Sequence, residues 1–138
     1  MRAHISLSVP DLDKAIRFYS TMFEQEPTIV RADYAKWLIE DPKLNFAVES
    51  RCNKSGIDHL GIQAETEDEL ELVASRMKRA GQPFLDVGNV QCCYANMDKA
   101  WTKGLTGEKW EAFYTHDHTE QTYGQDTEHL LDDVCCNR

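Results

Sequence analysis

Two tandem βαβββ modules, giving an α+β fold, are what this sequence predicts, and three observations carry the expectation. Ala3 to Val9 alternates, with His4, Ser6 and Ser8 on one face and Ile5, Leu7 and Val9 on the other. Ile57 to Ala64 repeats that alternation, with His59, Gly61 and Gln63 opposite Leu60, Ile62 and Ala64. Each of these half-buried strands is followed by one amphipathic helical stripe and then by three short strand-like runs.

In the first module Pro10-Asp11 ends the strand, and Asp11 suits a helix N-cap with Asp13 in the first turn. Leu12, Ala15, Ile16, Tyr19, Met22 and Phe23 share a helical face. Pro27 stops that helix. Strand-like runs follow at Thr28 to Arg31, Tyr34 to Glu40 and Leu44 to Glu49, with Asp41-Pro42 as a turn. Arg51 to Gly56 is a polar linker. In the second module Thr66 to Glu69 forms a Thr-x-x-Glu capping box, and Leu70, Val73, Ala74 and Met77 make the stripe. Gly81 and Pro83 end it. Strands are expected at Phe84 to Val90, Tyr94 to Trp101 and Lys109 to Thr115. The modules then span about 1–50 and 57–115 of one domain, 1–115. Residues 116–138, rich in acids with little apolar bulk, read as a mobile acidic tail carrying Cys135 and Cys136.

The chain has 138 residues, enough for one domain and a real core at 41 % hydrophobic content. Its net charge of -9, from 24 acids against 15 bases, argues against nucleic acid or an anionic membrane as partner. No apolar run reaches the roughly 20 residues that span a bilayer, and the N-terminus lacks the apolar block of a secretory signal. The expected compartment is cytoplasmic, where thiols stay reduced. Five cysteines, four of them in the adjacent pairs Cys92-Cys93 and Cys135-Cys136, do not look like a disulfide framework. Cys52 reads as a small hydrophobe.

His4 and His59 hold the same place in the two modules, so a pseudo-twofold arrangement brings both imidazoles to one cleft. Glu111 is an acid inside the otherwise apolar run Trp110 to Tyr114, where an ionised carboxylate needs a partner or a metal. Two histidines and a carboxylate with open positions form the facial set of non-haem Fe(II) chemistry, though such sites also take other divalent metals. In the first module the position matching Glu111 falls near Phe46, which leaves three protein ligands. A lone strand histidine is more often a hydrogen-bonded core residue; the matched positions raise His4 and His59 above that. Cys92 and Cys93, placed at a loop edge, suit a soft ion such as trivalent arsenic or cadmium. Cys135 and Cys136 suggest a second soft-metal site on the tail. His116, His118 and His129 read as solvated polar residues.

Nearly the whole chain resembles the vicinal-oxygen-chelate superfamily of glyoxalases, bleomycin-resistance proteins and extradiol dioxygenases. More narrowly, it is similar to the branch of organoarsenical carbon–arsenic lyases and cadmium-induced proteins. The matching segments are His4-Ile-Ser-Leu-Ser-Val with Ala15-Ile-Arg-Phe-Tyr-Ser, Asp33-Tyr-Ala-Lys, Pro42-Lys-Leu-Asn-Phe, Asp58-His-Leu-Gly, Cys92-Cys-Tyr-Ala with Asp98-Lys-Ala-Trp, and Gly107-Glu-Lys-Trp-Glu. The resemblance implies a metal at His4, His59 and Glu111 and trivalent arsenic held by Cys92 and Cys93. It implies an enzyme that uses Fe(II) and O₂ to convert methyl or aromatic arsenicals to arsenite, and it makes a homodimer the default assembly. The segment Lys103 to Gly107 departs from the Asp-Pro-Asp-Gly turn usual in the family, which bears on substrate choice. A second reading is a protein that sequesters cadmium or arsenite without turnover, favoured by the tail pair. A glyoxalase-like isomerase would need a fourth ligand in the first module.

Overall fold

The structure, a computed structural model, describes residues 1–92 and 94–118, with Cys92 described in its backbone alone. Cys93, Cys135, Cys136 and the tail from 119 onward lie outside the described residues.

Each module folds as βαβββ. The first comprises β1 (Arg2–Ser8), α1 (Leu12–Phe23), β2 (Ile29–Arg31), β3 (Tyr34–Glu40) and β4 (Lys43–Glu49). The second comprises β5 (Gly56–Gln63), α2 (Glu67–Arg79), β6 (Phe84–Cys92), β7 (Ala95–Lys103) and β8 (Lys109–His118). The eight strands form one sheet in the order β2-β3-β4-β1-β5-β8-β7-β6. The modules meet at the antiparallel pair β1–β5, and each closes with an equivalent parallel pair, β1–β4 and β5–β8.

The caps read from sequence are formed. Asp11 accepts from the Lys14 amide at 3.0 Å and Thr66 accepts from the Glu69 amide at 3.1 Å. Such a cap is worth about 1 kcal/mol against alanine. Glu69 reaches back to the Glu65 amide at 2.8 Å, not to that of Thr66 as a reciprocal box would have it. Gly81 has φ +80°, a left-handed stop. Met22 lies at the edge of the α1 stripe and is 55 % exposed; Leu12, Ala15, Ile16, Tyr19 and Phe23 pack inward.

Period-two alternation sorts the strand residues between two faces. On one face α1 packs over Ala35, Trp37, Phe46 and Val48, and α2 packs over Ala112 with Val73 and Met77. Trp37 is fully buried, a contribution of roughly 3 kcal/mol on transfer grounds. On the other face the sheet is polar, and His4, Ser6, Ser8, Lys36, Asn45, Glu49, His59, Lys99 and Glu111 are all buried there. That face lines the cleft. β8 continues to His118, past the expected strand end, so His116 is a strand residue held by Asp98 at 2.9 Å. Cys52 is disulfide-bonded, against the expectation of a reduced thiol acting as a small hydrophobe. No helix among the described residues is long and apolar enough to cross a membrane.

Candidate metal centre

The antiparallel β1–β5 pairing sets Ser6 opposite His59 and His4 opposite Gly61, so both imidazoles stand on the cleft face near the module junction. Their Nε2 atoms are 3.1 Å apart. Parallel β5–β8 pairing places Glu111 beside Gly61, and its Oε1 lies 3.7 Å from each Nε2. The three residues are at least nine-tenths buried, and their ligand atoms all fall within 4.8 Å of one another. The structure therefore brings together the three candidate metal ligands expected from sequence.

Each donor is oriented from behind. His4 Nδ1 donates to the Asn45 carbonyl at 3.0 Å, and a carbonyl can only accept, so the proton belongs on Nδ1 and a lone pair on Nε2. His59 Nδ1 donates to Asp58 Oδ2 at 2.8 Å, a carboxylate–histidine pair of the kind that holds metal-ligating imidazoles. Lys99 donates to Glu111 Oε2 at 2.9 Å, which turns Oε1 toward the histidines. Phe113 and Trp101 pack edge-on against His4 and His59, each with centroids 5.1 Å apart.

Charge follows from this packing. Burial, then the neighbouring His59, lowers the His4 pKa to about 4, so its imidazole is neutral at pH 7. Burial would also lower His59, but the Glu111 charge and the bond to Asp58 outweigh it and raise the value. Burial would raise Glu111, yet Lys99 and His59 hold it far below the usual carboxylate range. Asp58 is likewise lowered: burial opposes ionisation, and bonds from His59 and Lys54 overcome it. Two nitrogens and a carboxylate oxygen thus converge on one point, which calls for a shared proton or a cation. For ligand bonds of 2.0–2.1 Å at right angles, donors sit about 3.0 Å apart. The imidazole pair already meets that spacing, and the Glu111 carboxylate needs only a small approach. The donor set fits a divalent metal.

Strand register also shows why the set stops at three. His4 matches His59 and Ser6 matches Gly61; Ser6 pairs with Ala47 as Gly61 pairs with Glu111. The counterpart of Glu111 is Ala47, one residue beyond the expected Phe46, whose side chain packs under α1. Neither can bind a metal. Gly61 is required at the junction, because a Cβ there would lie 2.7 Å from the Glu111 carbonyl and 3.3 Å from His4 Cδ2.

The described residues where β6 passes into β7 are tied to the first module through Tyr94. β6 ends at Cys92, Tyr94 has φ +62°, and β7 starts at Ala95. Tyr94 donates its hydroxyl to Asp33, packs on Tyr34 at 5.8 Å and lies under the Arg31 guanidinium at 5.6 Å. Arg51 Nε sits 3.9 Å from the same Asp33 and 3.4 Å from buried Glu49, which accepts from Ser8. The Cys92 side chain and Cys93, the expected arsenic ligands, are outside the described residues. Sequence reasoning gave no role to Asp58, Lys99, Lys36 or Tyr94, although all four fall in the segments that carry the resemblance. The available signal was position: Asp58 adjoins His59, while Lys36 and Lys99 sit on the polar alternation of their strands.

The sequence profile of the Glyoxalase/Bleomycin resistance protein/Dioxygenase superfamily matches residues 2–120. The chain belongs to this superfamily. Among curated relatives, a trivalent organoarsenical cleaving enzyme of Bacillus sp. (strain MD1) is 42 % identical over 124 residues, covering 86 % of this chain and 76 % of the relative. The cadmium-induced protein CadI of Mycobacterium tuberculosis is 33 % identical over 129 residues, covering 93 % and 84 %. A Mn(II)-bound glyoxalase from Novosphingobium aromaticivorans shares the fold at a TM-score of 0.61 and 15 % identity, over 91 % of this chain and 41 % of that longer one. Superfamily membership and the buried His4–His59–Glu111 set together support binding of a divalent metal.

Proposed function

We propose that this chain is an Fe(II)- and O₂-dependent lyase that cleaves the carbon–arsenic bond of trivalent methyl or aromatic arsenicals to give arsenite. The observation that carries the reading is the His4–His59–Glu111 set on the floor of an open cleft, with three protein donors and the counterpart of Glu111 reduced to Ala47. The names of the relatives supply the substrate class. Held by His4, His59 and Glu111, Fe(II) would bring O₂ to the substrate and supply the oxidising power that the cleavage requires. The protein's part is to hold and orient. Asn45 and Asp58 fix the tautomers of His4 and His59, Lys99 aims one oxygen of Glu111, and Tyr94 anchors the turn from which Cys92 and Cys93 would grip arsenic as thiolates.

A second reading, sequestration of cadmium or arsenite without turnover, is favoured by the likeness to a cadmium-induced protein. One experiment separates them. Reduced protein loaded with Fe(II) is mixed with trivalent phenyl- or methylarsenical, with and without O₂, and arsenite is followed. Release that needs both iron and O₂ supports the lyase. Tight binding of cadmium or arsenite with no release supports sequestration and makes Cys135 and Cys136 the next residues to change.

A further inference from the structure

Lys36 has no part in holding the metal or the arsenic, yet it is 6 % exposed and lines the cleft with His4, His59, Lys99 and Glu111. An ammonium withdrawn from water is costly unless an anion replaces its hydration. Lys99 has that anion in Glu111 at 2.9 Å. Among the described residues Lys36 has no carboxylate within ion-pair reach. Burial pushes its pKa down to about 8, so it still carries its charge at pH 7. Its like-charged neighbourhood adds to the imbalance: Lys36 and Arg31 both oppose protonation of nearby His118. Among the described residues, Lys36, Lys99 and one acid, Glu111, line the pocket itself, with Glu49 further along the same face and engaged by Ser8 and Arg51, in a chain whose net charge is -9.

The register of the two modules shows where this charge sits. Glu111 pairs across β7–β8 with Trp101; its counterpart Ala47 pairs across β3–β4 with Lys36. Where the second module puts a carboxylate, the first puts a methyl group, with a buried cation on the neighbouring strand. The side of the cleft that lacks a protein ligand is therefore also the side that presents an ammonium with no carboxylate partner among the described residues.

We infer that Lys36 forms a subsite for an anionic group on the organic arm of the substrate, so that aryl arsenicals bearing a carboxylate or phenolate bind in preference to neutral or cationic ones. This specificity rests on the reading of the chain as an arsenical-binding enzyme.

The test uses full-length, reduced, metal-free protein, so that binding is read apart from turnover. Affinities are measured by tryptophan fluorescence for three trivalent phenylarsenicals that differ only in a para carboxylate, hydrogen or aminomethyl group. The carboxylate should bind roughly tenfold tighter than the neutral compound, the scale of one charge-assisted contact, with the ammonium weakest. Lys36→Met should collapse the three affinities toward one value, and Lys36→Arg should keep the order. Equal affinities in the unaltered protein, or an order unchanged in Lys36→Met, overturns the inference. If the methionine variant does not fold, the order in the unaltered protein and in Lys36→Arg decides, and its absence overturns the inference. Charge preference without arsenite release from the iron-loaded protein leaves the subsite standing and removes the lyase reading. Arsenite release without charge preference does the reverse, and failure of all three compounds to bind removes both.

Discussion

Replacing Lys36 by methionine should make the metal-free protein more stable. In the folded chain burial drops the Lys36 pKa from its ordinary 10.5 to about 8. At 1.36 kcal/mol per pKa unit, the buried charge costs roughly 3 kcal/mol at neutral pH. Methionine keeps the length and the apolar stem, and no ion pair among the described residues is lost. Some relaxation of the lysine is to be expected, so a gain of about 1–3 kcal/mol is the working figure. The pH dependence gives a second, sharper check. Below pH 8 both folded and unfolded lysine are protonated and the penalty is complete. Between 8 and 10.5 the unfolded state holds a proton that the folded state has released, so stability of the unaltered protein rises with pH there. The advantage of the variant should therefore be full at pH 7.5 and mostly gone by pH 10. Urea denaturation of both proteins at several pH values, read as the difference between them, measures this directly; a gain of 2 kcal/mol moves the midpoint by about 1 M at the usual slopes. A variant no more stable than its parent at pH 7.5, or an advantage that does not shrink on going to pH 10, would refute the account of Lys36 as an uncompensated buried charge.

Three further changes probe the centre and its supports. Gly61→Ala forces a methyl to within 2.7 Å of the Glu111 carbonyl, so it should cost about 1–3 kcal/mol by thermal denaturation and sharply lower metal occupancy. Asp58→Asn removes the charge behind His59 while keeping its shape, and metal affinity by competition with a chelator should fall roughly 10- to 100-fold. Tyr94→Phe deletes the hydroxyl that binds Asp33 and should speed hydrogen exchange in the β6–β7 turn and weaken arsenical binding about tenfold. Because Tyr94 lies outside the ligand set, its metal affinity should stay unchanged; a parallel loss of metal would mean that the turn and the metal site are one unit.

The parts of the fold that follow local rules were legible in the sequence. Alternation at His4 to Val9 and at Ile57 to Ala64 marked β1 and β5 because one face of each meets helix-side core and the other a polar cleft. Asp11, Thr66 and Gly81 marked helix ends because capping depends on a few neighbouring residues. The candidate ligand set could be assembled because the module is written twice and the two histidines recur in phase. What pairing decides was harder to read. Ala47, not Phe46, matches Glu111, since a one-residue change of register exchanges the two faces of a strand. Lys36 and Lys99 look alike as polar residues on alternating strands, and only three-dimensional closure gives one a carboxylate and leaves the other without one among the described residues. Met22 shows the same limit on a helix, where a position at the edge of the stripe is buried or exposed according to how the helix rolls on its sheet.

The contrast between the two lysines also bears on why the modules have diverged. A symmetric pair of βαβββ units would supply a histidine and an acid each and so fill four positions around a metal. Here the second module carries an acid and pairs it with Lys99, while the first has Ala47 at that place and buries a lysine on the neighbouring strand. The exchange lowers the stability of the empty protein and raises the positive charge of the cleft. A stable fold alone gives no reason for that arrangement, because an apolar residue at position 36 would pack at lower cost. An anion brought by the substrate gives one, since it restores on binding the partner that the first module lacks. The lower stability of the unliganded protein and the selectivity for charged arsenicals are then two consequences of the same side chain, and Lys36→Met should remove both together.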